Sequence, residues 1–154
     1  MNTALLFIHS WLRWIILIVG FITVFKAIGG LSSKRSFAAG DNKSNLFFMI
    51  SMDLQFLVGL ILYFTSGWSA QWKTSMQTVM SQSYTRFFTV EHASMMIIAW
   101  ILVHIGRALV KKAPSDGEKH KKSLIFFGVA MLLILLAIPW PFRHDLGAHP
   151  WFRL

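Results

Sequence analysis

The sequence predicts an all-α membrane protein, a four-transmembrane-helix up-and-down bundle with a short interfacial helix in its second loop. Three observations predict it. The chain of 154 residues is 55% hydrophobic and only 14% charged, whereas a soluble domain carries about a quarter of charged residues to cover its surface. Its apolar residues run in four long blocks, and the mean hydropathy is +0.57. Its basic residues, which give a net charge of +9, cluster between those blocks. That placement suits lipid head groups and the setting of topology, and it argues against nucleic acid as a partner.

Crossing a hydrocarbon core of roughly 30 Å takes about 20 mainly apolar residues in a helix. Four stretches of one membrane domain, 1–154, meet that length: about 4–28, 46–65, 87–110 and 122–138, the apolar run of the last beginning at Leu124. The first lacks a basic leading region and a small-residue cleavage site, so it reads as a retained helix rather than a signal peptide. The second loop repeats apolar residues at helical spacing in Trp68, Trp72, Met76 and Val79. An amphipathic interfacial helix over about 68–80 follows, with Trp72 and Met76 turned to lipid or the bundle. Pro139 and Pro141 stop the last helix.

Topology follows from charge. Lys26, Lys34, Arg35, Lys43, Arg107, Lys111, Lys112, Lys119, Lys121 and Lys122 flank loops one and three. Arg13, Lys73, Arg86, Arg143 and Arg153 lie on the other side. Ten against five places loops one and three in the cytoplasm and both termini outside. Six of the seven tryptophans fall near the outer interface, as an aromatic belt does, and only Trp100 lies mid-membrane.

Cysteine is absent, which excludes disulfides, cysteine-held clusters and thioether-attached haem. Any haem is therefore b-type. Ionisable residues inside apolar helices are costly and are functional candidates by default. At about 1.5 Å per residue, His9 and His92 lie roughly 10 Å and 9 Å to the outer side of their block centres. The first and third helices run in the same direction and sit on a bundle diagonal, so the two histidines can face each other across it and ligate one haem iron. Arg86, and Arg13 with a propionate or Glu91 as counter-charge, are the expected propionate partners. His104 has no ligating residue level with it on the first helix, and Asp53, near the centre of the second, lies within roughly 5 Å of it in depth; the two form a candidate proton-handling or quinone-binding pair. Ser51, Gln55, Gly59 and Tyr63 share a stripe that reads as helix packing. His144, Asp145 and His149 read as a solvated tail.

The run Arg86-Phe87-Phe88-Thr89-Val90-Glu91-His92, the segment His104-Ile105-Gly106-Arg107, the ending Ile138-Pro139-Trp140-Pro141-Phe142-Arg143 and the opening His9-Ser10-Trp11-Leu12-Arg13-Trp14 resemble a family of short bacterial four-helix membrane proteins labelled cytochrome b-like. The match extends over nearly the whole chain. The resemblance implies haem b, electron transport and the bacterial inner membrane. In one respect the chain departs from dihaem b-type cytochromes, which carry four histidines at two levels, since it offers one level-matched pair. The expectation is a monohaem, quinone-linked membrane cytochrome with another membrane redox protein or complex subunit as partner. The alternative, of a different class, is a cofactor-free accessory subunit of a larger membrane complex.

Overall fold

The computed structural model describes residues 3–147 and 149–152; Arg153, counted above among the basic residues, lies outside them. Four helices are long and apolar enough to cross a membrane. They are α1 (Thr3–Ser32), α2 (Ala39–Thr65), α4 (Ser83–Lys111) and α5 (Asp116–Ala137). A 3₁₀ turn (Ser69–Lys73) and the short α3 (Met76–Ser81) fill the connection between α2 and α4. A π turn (Phe87–Glu91) interrupts α4, and a 3₁₀ turn (His144–Leu146) follows α5. Among the described residues there is no strand.

Two helices begin well before their apolar blocks because their polar ends are capped. The Asp41 carboxylate accepts the Ala38 N–H at 2.9 Å and grips Arg35 at 2.6 and 2.7 Å, which fixes the start of α2. Ser115 Oγ accepts the Glu118 N–H at 3.3 Å, and Asp116 and Glu118 place negative charge in the first turn of α5.

Around the bundle, α1 packs on α2 and α5, and α4 packs on the same two, so α1 and α4 stand on one diagonal. The core holds Ile16, Phe48, Met52, Val103, Phe127 and Ile134, with Phe48 and Phe127 edge to face at 5.8 Å. Gly20 on α1 lies under Met131 and Phe48 with no room for a Cβ. Small residues at such contacts let apolar helices approach closely. The outside of the bundle is also apolar, with Ile18, Phe25, Leu57, Phe64, Leu132 and Leu136 all exposed. Surfaces of this extent are not left to water.

The second loop differs from the expectation of one helix over 68–80. The 3₁₀ turn closes at Thr74, whose backbone is extended (φ −89°, ψ 173°) and whose hydroxyl donates to Gln71 O at 2.6 Å. A threonine side chain that bonds its own turn competes with helix continuation. Trp72 and Met76 are exposed, and Val79 alone of the apolar series turns fully inward.

Candidate functional site

His9 on α1 and His92 on α4 meet across the diagonal, with ring centroids 6.2 Å apart and planes at 62°. Local structure explains how His92 is aimed. The π turn ends directly before it, and the His92 N–H bonds Phe87 O, five residues back. Such turns add one residue to a helix and occur mostly at functional sites. Tyr63 OH on α2 donates to Thr89 O inside this turn at 2.9 Å, and Trp72 Nε1 donates to Tyr63 OH at 2.6 Å. His92 Nδ1 lies 2.7 Å from the carbonyl of Ala137, the last residue of α5. The final carbonyls of a helix have no partner within it, so one of them is open to the ring. A carbonyl accepts only, so Nδ1 carries the hydrogen and Nε2 keeps its lone pair. His92 Nε2 makes no hydrogen bond within the described residues.

His9 is held differently. Gln55 Nε2 donates to the His9 carbonyl at 3.2 Å and lies 3.3 Å from His9 Nε2. His9 Nδ1 and Gln55 Oε1 are buried without a hydrogen-bond partner. Gly59 opens the space beside this ring, since a Cβ there would come within 3.2 Å of His9 Cε1. Two cavities of about 170 and 390 Å³ flank the pair, and both are lined by His9, Gln55, Gly59, Tyr63, His92 and Met96. The first runs toward Arg13 and the tail, and the second runs between α2 and α4.

The spacing fits a shared ion. With metal–imidazole bonds of about 2 Å, two rings on opposite sides of one ion have centroids about 6 Å apart. Each ring keeps one nitrogen outside the protein's hydrogen bonds, but the Gln55 amide nitrogen only donates, so His9 Nε2 accepts and the orphaned Nδ1 carries the hydrogen; His9 would bind a metal through Nε2 in place of the Gln55 contact. Among the described residues no group of three or more ligating side chains could hold a bare metal. Two donors are too few for a bare ion. They would suffice for a metal already held by a macrocycle, with His9 and His92 as the residues that hold it.

The remaining expected residues are placed as follows. Arg13 lines the first cavity, and its Nη2 donates to Trp151 O at 2.6 Å. Glu91, expected as a counter-charge for Arg13, pairs instead with Arg86 at 2.7 Å, and Arg86 also donates to Met80 O at 3.0 Å. Asp53 and His104 meet directly, Oδ1 to Nε2 at 2.8 Å, and Trp100 Nε1 donates to the same oxygen at 2.7 Å. The tail is not wholly solvated. His144 and Asp145 are exposed, but His149 is half-buried against Tyr84 and Phe88 and lines the first cavity.

Neither a family model, nor a curated protein, nor a solved structure matches this chain. Function is therefore argued from the site.

Sequence reasoning placed Gln55, Gly59 and Tyr63 on a packing stripe, whereas they line the histidine site. By depth along the second helix, Tyr63 lies at the level of His9 and His92 and Gly59 part of the way to it, while Gln55 falls near the centre of its block. The same reasoning passed over His120, which sits among lysines in the sequence but is fully buried against Gly30 and the Phe37 ring.

Proposed function

We propose that the chain is a monohaem b-type cytochrome, multi-pass in the bacterial inner membrane, with both termini outside and the haem near the outer leaflet. The observation that carries the reading is the facing of His9 and His92 across the bundle diagonal at 6.2 Å. The lack of cysteine means that a haem here would be held without covalent attachment, with His9 and His92 as its protein ligands. The similarity of the histidine-bearing segments to cytochrome b-like proteins points the same way.

Haem iron supplies one-electron transfer, with its potential set by axial ligands, burial and nearby charge. The chain does the rest. His92 is oriented through Nδ1 by the Ala137 carbonyl, an outer contact of the kind that fixes tautomer and ring direction in metal sites. Gln55 restrains His9 from the α2 side. Arg13 lines the first cavity and would serve a propionate, whereas Arg86 would have to leave its pair with Glu91 to do so. In this reading the chain would link a lipid-soluble quinone to another membrane redox protein or complex subunit, and Asp53 with His104 would handle the accompanying protons.

An absorption spectrum of the protein purified with haem supplied during expression tests this reading. Expected is a low-spin spectrum with a sharp alpha band on reduction, lost or turned high-spin in His9→Ala and His92→Ala and largely kept in His104→Ala. A colourless wild-type protein overturns it in favour of the cofactor-free accessory subunit.

A further inference from the structure

We infer that Asp53, His104 and Trp100 form a lipid-facing docking site for the head group of a quinone-type carrier, separate from the histidine pair. The inference extends the electron-transfer reading by locating its lipid-soluble partner, but binding at this site does not depend on haem.

Position comes first. Asp53 lies near the middle of α2, and it meets α4 at the seam between the two helices. The pair does not point into the core. The Asp53 and His104 side chains are 36% and 37% exposed, among exposed apolar neighbours one turn away: Ile50, Leu57 and Ile101. A carboxylate–imidazole pair at mid-helix on an apolar exterior is costly, because no water is present there to satisfy it.

The open atoms come next. Asp53 Oδ1 is fully engaged by His104 Nε2 and Trp100 Nε1. Asp53 Oδ2 and His104 Nδ1 make no hydrogen bond within the described residues, and they remain for an outside partner. They offer an acceptor beside a ring nitrogen that can donate or accept. Trp100 adds a flat wall, stacked on Phe56 at 4.8 Å and 13° and set against His104 at 4.6 Å.

A partner must therefore reach the site through hydrocarbon, present a flat ring and exchange hydrogen bonds through ring oxygens. Water-soluble substrates fail the first condition and acyl lipids fail the second. A quinone or quinol on an apolar tail meets all three.

Decylubiquinone titrated into the full chain in phosphatidylcholine nanodiscs, followed by tryptophan fluorescence, tests the site. Expected is a saturable quenching component that is absent in Trp100→Phe. Asp53→Asn and His104→Gln, which preserve shape, should each weaken it by at least about tenfold, the loss associated with leaving one desolvated partner unpaired. Melting temperatures show whether each variant is folded, and either variant alone suffices. Unsaturable quenching, or equal affinity in folded Asp53→Asn, overturns the inference. So does cross-linking of two copies through Leu57→Cys in this cysteine-free chain without saturable binding, which would make the polar pair a self-association contact. Colourless protein that binds decylubiquinone retains the docking site and removes the haem reading; coloured protein that does not bind it does the reverse.

Discussion

His92 Nδ1 rests 2.7 Å from the carbonyl of Ala137, so the end of α5 sets the direction of a ring carried by α4. The ring and the helix end are 45 residues apart in sequence. Moving either one moves the histidine relative to His9.

That contact predicts a stability effect independent of any cofactor. His92→Phe keeps the ring's bulk and removes the donor to a helix-end carbonyl. The expected loss is about 1–2 kcal/mol, the usual range for a hydrogen bond whose partner is left unpaired. Thermal unfolding of the haem-free protein should show the shift, and an unchanged melting temperature would mean the carbonyl finds another donor.

Tyr63→Phe should loosen the π turn. Its hydroxyl is the donor to Thr89 O, and Thr89 is almost fully buried. We expect a loss of about 1–3 kcal/mol and faster amide exchange confined to residues 87–92. Exchange unchanged in that segment would show that the turn is held by α4 alone.

Gly30→Ala tests the buried histidine. His120 lies so close over Gly30 that an added Cβ and the imidazole cannot share the space. Overpacking of this kind costs about 1–3 kcal/mol, and His120→Ala in the same chain should recover part of it. Failure of the double variant to recover would place the strain elsewhere in α1.

Topology is tested by a reporter that works only when exported, fused after Leu154. The asymmetry of basic residues predicts activity there and none from a fusion in the loop around Lys34. Activity of the opposite pattern would invert the orientation and put the histidine pair on the cytoplasmic side.

The four long helices were legible because hydropathy over about 20 residues is a strong signal. Helix ends were not, because Asp41 with Arg35 and Ser115 with Glu118 extend α2 and α5 through polar sequence by capping. The meeting of His9 with His92 and of Asp53 with His104 could be read from depth and helix direction. What depth cannot give is the facing of a seam. His104 is partly exposed, while Arg107, less than one turn on, is buried and donates to Asn42 Oδ1. Gln55 was hidden for a related reason: an amide on a small-residue stripe looks the same whether it serves packing or a ligand.

The ion pair of Arg86 and Glu91 joins residues five apart. In a regular α-helix positions three and four apart are neighbours, and a spacing of five points to different faces. Only the widened turn, with its five-residue hydrogen bond, brings these two charges together. The widened turn thus takes up one extra residue, and the helix after His92 keeps the facing that a regular helix one residue shorter would give it. Removing a single residue between Arg86 and Glu91 would return the segment to regular helix, leave the two charges four apart and still neighbours, and keep the facing of the helix from His92 to Lys111. The pairing of Arg86 with Glu91 is therefore a structural marker of the widened turn that ends at His92.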